Sequence, residues 1–460
     1  MKEEDSNPKA AIKRLATRPF ERNLALTRLG LGAGTKIVAH SIANIFRGEV
    51  ARSSADREFY ERQARILADE LGRLKGSVMK AGQMLSLYAQ YFLPEEAVEV
   101  LSTLQENTAP VHWSVLAPVL GRALGKPRLA ELEVDEQPLA AASLGQAHRA
   151  RRRSDGLELV LKVQYPGVAD AIESDIKTLT RVLLMTRLVP RGLSLQPILS
   201  EVREMLHREV DYHAERDHTE AFGSRLADDP RFVVPRVLPE YSSDMVLATT
   251  FETGVHVQHP SVQNLSLERR NRLANAFLEL FLIEFFDWGM VQTDPHFGNY
   301  RIRVDPAGKD RIVLLDFGAT RLFGQGFIDG YRAMVRGALA DDEAGVLEGA
   351  CTIGLMSEGF PRNVVSAFYE LCKLIVEPFS EHPPAKVLDE QGRYKWGASD
   401  LPMRAAGVAA RNALSRYFRI PPREIIFLHR RLAGVFIMLA TLRAQFSARE
   451  LLLKHLGSNS

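Results

Sequence analysis

The spacing of apolar and polar positions divides the chain into a helical beginning, a strand-rich middle and a mostly helical remainder. Between residues 58 and 93, Leu67, Leu71, Leu74, Val78 and Leu85 recur at helical steps, which predicts a long helix with one apolar stripe. Lys80 and Gln83, three residues apart, fall on the side away from that stripe. Pro94 breaks this helix, and a short second one is predicted over 95–105. From about 131 to 252 the pattern turns to strands. Leu157 to Val163 alternates, with Glu158, Val160 and Lys162 on one face and leucines on the other. The arginines of Arg151-Arg152-Arg153-Ser154-Asp155-Gly156 read as a solvated hairpin tip before it. Helices are predicted over 167–188 and 195–226, with further strands near 231–234 and 245–251. Glu252-Thr253-Gly254 reads as a hinge, and beyond it the chain is mostly helical, interrupted by short strands.

Size and composition narrow the class. At 460 residues the chain exceeds one ordinary core, so two lobes plus extra elements are expected. With 46% hydrophobic and 25% charged residues it reads as a folded soluble protein. A net charge of +2, from 59 basic and 57 acidic residues, argues against nucleic acid as a partner. Two cysteines, Cys351 and Cys372, suit a reducing compartment and argue against a disulfide framework or a cysteine metal site. No segment reaches the roughly 20 apolar residues that cross a bilayer. The nearest, Ala274 to Met290, carries Glu279, Glu284 and Asp287 and reads as a buried helix. Met1-Lys2-Glu3-Glu4-Asp5 has no apolar run after it, so no secretory signal is expected, and its acids disfavour a transit peptide. Residues 1–22 are expected to be poorly ordered. No strand precedes Gly30, Gly32 and Gly34, so the segment to Phe46 reads as a helix packed on a neighbour or a membrane surface rather than a dinucleotide loop.

Four short segments carry candidate chemistry. Lys162 is a cation within an apolar strand, and an ammonium there needs a nearby anion, which phosphates and a glutamate can supply. The helical text from His207 to Glu215 offers Glu209, Asp211 and Glu215; on one continuous helix Glu209 and Glu215 would lie about 120° apart and serve different partners. Asp294 and Asn299 are separated by the five-residue interval of kinase catalytic loops. Asp316 closes an apolar strand ahead of Phe317 and Gly318, and with Asn299 it offers the hard oxygens magnesium takes. The spacing of Asp294, His296 and Asp316 matches no zinc motif. Two ordinary kinase features are missing. Gln292-Thr293-Asp294 replaces His-Arg-Asp, and the text before Lys162, Pro138 to His148, is alanine-rich where a glycine-rich loop would stand. No long activation segment follows Gly318, so a groove for a peptide substrate is not expected.

Lys80-Ala81-Gly82-Gln83 resembles the KxGQ motif of the UbiB/AarF family of atypical kinase-like proteins. Ala140-Ala141-Ala142-Ser143 is similar to that family's alanine-rich nucleotide loop, and Glu209-Val210-Asp211 to its ExD motif. Lys162 to Val168, Gln292 to Pro295 and Pro421 to Arg430 are also typical, and the resemblance runs from about 58 to 445. The coenzyme Q biosynthesis branch and its bacterial relatives are the nearest in pattern. The resemblance implies an α+β, bilobal protein-kinase-like fold with an N-terminal helical extension packed over the cleft. The divisions expected are 1–57 as an N-terminal, partly disordered segment, 58–130 as the helical extension, 131–252 as the smaller lobe with inserted helices, and 253–460 as the helical lobe. It further implies that Ala140 to Ser143 and Lys162 bind the nucleotide, that Glu215 pairs with Lys162, and that Asn299 and Asp316 hold magnesium. Asp294 becomes the catalytic-loop acid, while Lys80 and Gln83, near Glu209 and Asp211, gate the cleft where a peptide would otherwise lie. His296 sits where members vary and is given no role.

The implied cofactors are ATP and Mg. The implied activity is that of an ATPase or small-molecule kinase supporting ubiquinone biosynthesis. Its implied partners are a membrane lipid or quinone-precursor surface and other ubiquinone biosynthesis proteins, with the protein cytoplasmic and peripheral at the inner membrane. The paired C-terminal membrane helices of some bacterial members are not expected, because Leu432 to Leu439 is too short to span. Two other readings compete: a phosphotransferase of the aminoglycoside or choline kinase type, and a nucleotide-sensing scaffold without turnover.

Overall fold

The computed structural model describes residues 80, 81, 84, 110–186, 196–357, 359–401, 404 and 421–457. The chain divides into two compact units, Met1–Arg216 with Arg236–Phe251, and Asp217–Pro235 with Glu252–Ser460. The helices expected over 58–93 and 95–105 lie outside the described residues, except that Lys80, Ala81 and Met84 are helical and the last two are buried.

In the first unit a helix kinked at Gly125, α1 (Trp113–Ala130), leads into β1 (Leu132–Ala141), β2 (Gly145–Arg152) and β3 (Glu158–Gln164). The alternation in β3 has its expected consequence: Leu159, Leu161 and Val163 are fully buried, while Val160 and Lys162 are half-buried on the other face. The turn before β3 closes at Gly156, whose φ of 73° is cheap only without a side chain. Helices α2 (Val168–Thr186), α3 (Gln196–Glu209) and α4 (Tyr212–Arg225) follow. The single helix expected over 195–226 is therefore two. The break falls at Val210–Asp211, where the Asp211 carboxylate accepts from the Ala214 N–H at 3.0 Å and caps α4 instead of continuing α3. After β4 (Phe232–Val233) the chain adds β5 (Val246–Thr250) to the edge of β3, which gives an antiparallel sheet of order β1-β2-β3-β5.

Asp217–Pro235 sits with the second unit, whereas the sequence division placed it with the strand-rich middle. Packing explains this. β4 pairs in parallel with β8 (Arg311–Leu314), and the Phe222 ring lies 4.7 Å from that of Phe317. In the same unit α5 (Leu267–Leu282) starts at Ser266, whose side chain accepts from the Arg269 N–H, and runs on into a π-helical turn, Ile283–Asp287. The apolar text expected to be a buried helix is buried here, with Glu279 and Glu284 included. β6 (Met290–Gln292) pairs antiparallel with β9 (Thr320–Leu322), and β7 (Tyr300–Arg303) with β8. Helices α6 (Gln325–Leu339), α7 (Glu343–Thr352), α8 (Arg362–Val376), α9 (Arg423–Thr441) and α10 (Arg449–Leu456) complete the unit. Phe277, Phe285, Phe317, Leu428 and Val435 lie in its core. Among the described residues no helix is long and apolar enough to cross a membrane.

Candidate nucleotide site

In the first unit, Lys162 projects from the less buried face of β3. Its ammonium donates to both oxygens of Glu215, at 2.7 and 2.8 Å. Glu215 is in the first turn of α4, where the helix dipole favours an anion, and its side chain is 5% exposed against 29% for the lysine. The register pairs Ala147 with Lys162 and Gly145 with Gln164. The alanine-rich turn therefore sits at the strand end just past Lys162. Ala140 and Ala141 end β1, while Ala142 and Ser143 make the turn, closed by the Ala142 N–H donating to the Gly145 carbonyl. A Cβ on Gly145 would fall 2.5 Å from the Val163 carbonyl oxygen, so only glycine lets the two strands approach here.

The other two acids in the 209–215 text have partners of their own. Lys80 donates to Glu209, the last residue of α3, at 2.7 Å, while Asp211 caps α4 and so supports Glu215. Gln83 lies outside the described residues. Sequence reasoning missed the glutamines behind this sheet. The Gln164 amide donates to the carbonyls of Val210 and Asp244, fixing the junction between α3 and α4. The Gln146 amide accepts from the N–H of Val111 and donates to its carbonyl, as a strand neighbour would. His148, buried beside Gln146, has its pKa lowered by desolvation. Alternation gave no sign of this: Gln164 shares the parity of Glu158, Val160 and Lys162 on the less buried face of β3, yet both glutamines are buried, and no local signal said that a polar side chain there would find a partner.

In the second unit, the ladder between β6 and β9 ties the text before Asp294 to the text after Asp316. The Thr293 N–H and hydroxyl both donate to the Ala319 carbonyl. Pairing of Tyr300 with Leu314 sets Asn299 against Leu315, whose N–H donates to the Asn299 carbonyl at 2.9 Å, so Asp316 follows immediately. The Asp316 carboxylate accepts from the Gly318 N–H at 3.0 Å, and its carbonyl accepts from the Gln292 amide. Asn299 donates through its amide nitrogen to Asp294 Oδ2 at 2.9 Å, which turns its own oxygen away from that carboxylate. His296 accepts from the Gly298 N–H and caps the short turn Phe297–Asn299, a local structural task.

Two arginines join this loop's network within the second unit, and the sequence reading gives neither a role. Arg430 on α9 donates to Asp294 Oδ1 at 2.7 Å. Arg431 is fully buried, donating to the Tyr300 hydroxyl at 2.6 Å and to Glu284 at 3.3 Å. Tyr300 in turn donates to the Gln292 amide oxygen, so the network underlies the Asp294 loop. Burial pushes the Glu284 carboxyl up to about 7.

Among the described residues no group of three or more His, Cys, Asp or Glu side chains could hold a metal ion by itself. The Asp316 carboxylate and the Asn299 amide oxygen are hard donors of the kind magnesium takes, and these two residues would hold such an ion. They do not fit zinc, which asks for nitrogen and sulfur ligands.

A lysine–glutamate pair on an antiparallel sheet, together with an Asp294–Asn299 loop ahead of Asp-Phe-Gly, defines a kinase-like protein. Residues 103–350 match the ABC1 atypical kinase-like domain. The mitochondrial atypical kinase COQ8B of Rattus norvegicus is 32% identical over 92% of this chain and 77% of its own length. The mitochondrial atypical kinase COQ8 of Saccharomyces cerevisiae is 29% identical over 92% of this chain and 82% of its own. Among solved structures, Rv3197 of Mycobacterium tuberculosis, determined with erythromycin, aligns with a TM-score of 0.56 and 25% identity over 87% of this chain and 97% of that one. The chain belongs to the ABC1 atypical kinase-like family, in agreement with the motifs of the UbiB/AarF resemblance. Its fold is α+β and protein-kinase-like, and membership of a kinase-like family implies use of ATP.

Proposed function

We propose that this protein binds ATP with magnesium and releases or transfers the terminal phosphoryl group in support of ubiquinone biosynthesis at a membrane surface. The observation that carries this reading is the Lys162 ammonium held by both oxygens of Glu215. A lysine so aimed is a phosphate ligand in kinase-like proteins. Ala140 to Ser143 border the nucleotide, Asn299 and Asp316 hold the metal, and Asp294 is the catalytic-loop acid. Bound magnesium supplies charge neutralisation on the phosphate oxygens. Lys80, paired with Glu209 at 2.7 Å, belongs to the helical extension that disfavours a peptide acceptor. The link to ubiquinone and to a membrane rests on the likeness to the mitochondrial COQ8 kinases.

The test is phosphate release from ATP, with and without vesicles and phenolic quinone precursors, for the wild-type chain and Lys162→Met. Release that vesicles or precursors stimulate and Lys162→Met abolishes supports the reading. Transfer of phosphate to a soluble alcohol would mark a small-molecule kinase instead, and nucleotide binding without release would mark a sensing scaffold.

A further inference from the structure

Both carboxylate oxygens of Asp294 are engaged, and by groups far apart in sequence. Oδ2 accepts from Asn299, five residues on, while Oδ1 accepts from Arg430, 136 residues on. The catalytic loop itself has Thr293 where ordinary kinases place an arginine, so its cation arrives from α9. The same helix meets the loop again one turn later. A Cβ on Gly434 would lie 2.0 Å from Cβ of Pro295 and 3.3 Å from its Cα, so α9 presses its bare backbone on the residue after Asp294. One turn earlier, the guanidinium of Arg321, in the strand after Asp-Phe-Gly, lies 3.4 Å over the ring of Phe427. Phe427, Arg430 and Gly434 are spaced three and four apart, which is one stripe of a helix. Arg431, on a neighbouring stripe, anchors α9 to the buried Glu284 and Tyr300.

We propose that α9 is the platform that sets the catalytic loop, with Arg430 a positioning residue that acts through Asp294 on the amide of Asn299. Asn299 takes its orientation from Asp294 Oδ2, and Asp294 takes its own from Arg430. Loss of the guanidinium therefore loosens a metal ligand two bonds of the network away. The Arg430–Asp294 pair is about one-third exposed on each side, so it adds little to stability. Its effect should appear in the loop rather than in the melting temperature. As a claim about a metal ligand this rests on the function proposed above. As a claim about loop order it does not.

The experiment compares the full chain with Arg430→Gln, Arg430→Lys and Gly434→Ala by two readouts. Amide hydrogen exchange without nucleotide should show faster exchange over residues 294–299 in Arg430→Gln, unchanged exchange in α6 and α7, and partial recovery in Arg430→Lys. Gly434→Ala should reproduce the loop effect with the charge intact. If it fails to fold, the Arg430 pair still decides the matter. Titration of magnesium into protein with a fluorescent ATP analogue should show the half-saturating concentration rising about tenfold or more in Arg430→Gln, as for other groups that orient a metal ligand. Unchanged loop exchange in Arg430→Gln overturns the proposal, as does faster exchange spread evenly over the unit with no shift in the magnesium midpoint. A wild-type chain that binds no nucleotide with magnesium refutes the proposed function, while the exchange data still judge the platform.

Discussion

Lys162 shows how a single side chain is constrained from two directions. Its strand neighbours are buried, so its ammonium has left bulk water in part and needs an anion. Glu215 meets that need, and Glu215 is itself buried, so each group depends on the other. Glu215→Ala should lower melting stability by about 1–3 kcal/mol and weaken nucleotide binding together, because it leaves the lysine unheld. Calorimetry and nucleotide titration on the same variant would check both. Asp316→Asn keeps the shape but removes the charge, and magnesium-dependent nucleotide binding should vanish. Unchanged affinity in that variant would remove Asp316 from the metal site. Lys80→Ala breaks a pair whose members are 23% and 29% exposed, so stability should change by no more than about 1 kcal/mol. Phosphate release should nevertheless change; a variant that only melts earlier would make Lys80 structural.

At the scale of elements, backbone approach governs as much as charge does. α6 and α7 cross where a Cβ on Gly349 would lie 2.5 Å from the Gly330 carbonyl oxygen, and one on Gly330 would lie 2.6 Å from Ile353. Gly349→Ala should push the helices apart and cost about 1–3 kcal/mol in urea denaturation, with nucleotide affinity unchanged. The junction of α3 and α4 works by capping. Asp211→Ala should cost about 1 kcal/mol and loosen the first turn that presents Glu215. That break was hard to read in advance because His207 to Glu215 has ordinary helix formers on both sides of it. An aspartate prefers a cap to a helix interior, but the preference is small enough for its surroundings to override, so the choice falls to what packs around it. β3, by contrast, was legible to within a residue, since strict alternation with leucines has one reading on a sheet covered on one face.

Over the whole molecule, the buried polar groups of the second unit set a pH dependence. Glu284 ionises at about 7 when folded, against an ordinary 4.5, because burial opposes its charge more than Arg431 favours it. As pH rises from about 4.5 to about 7, the unfolded chain releases this proton first, so Glu284 lowers stability across that window, on the order of 3 kcal/mol in total. His429, half-buried with its ring nitrogen 3.1 Å from the Tyr331 hydroxyl, has the opposite sign. Desolvation holds it down to about 4, so its contribution to stability is lost as pH falls from 6.5 towards that value. Glu284→Gln should remove the loss above pH 5 and leave the acid limb intact, as read by chemical denaturation across pH. A variant that keeps the wild-type slope between pH 5 and 7 would rule out Glu284 as its source.

The sequence alone determined what is local. Leucine alternation placed Lys162 on the less buried face of its strand, and the interval from Asp294 to Asn299 and the Asp-Phe-Gly text matched the pattern of kinase catalytic loops. The motif set from Lys80 to Arg430 identified the family. Tertiary structure alone decided partnership: Glu209 rather than Asp211 pairs with Lys80, Gln146 clamps Val111, and Arg430 reaches Asp294 from 136 residues away. The reason is geometric. Backbone periodicity fixes where a side chain points within its own helix or strand, while the choice of what it meets there depends on which other elements pack against that face.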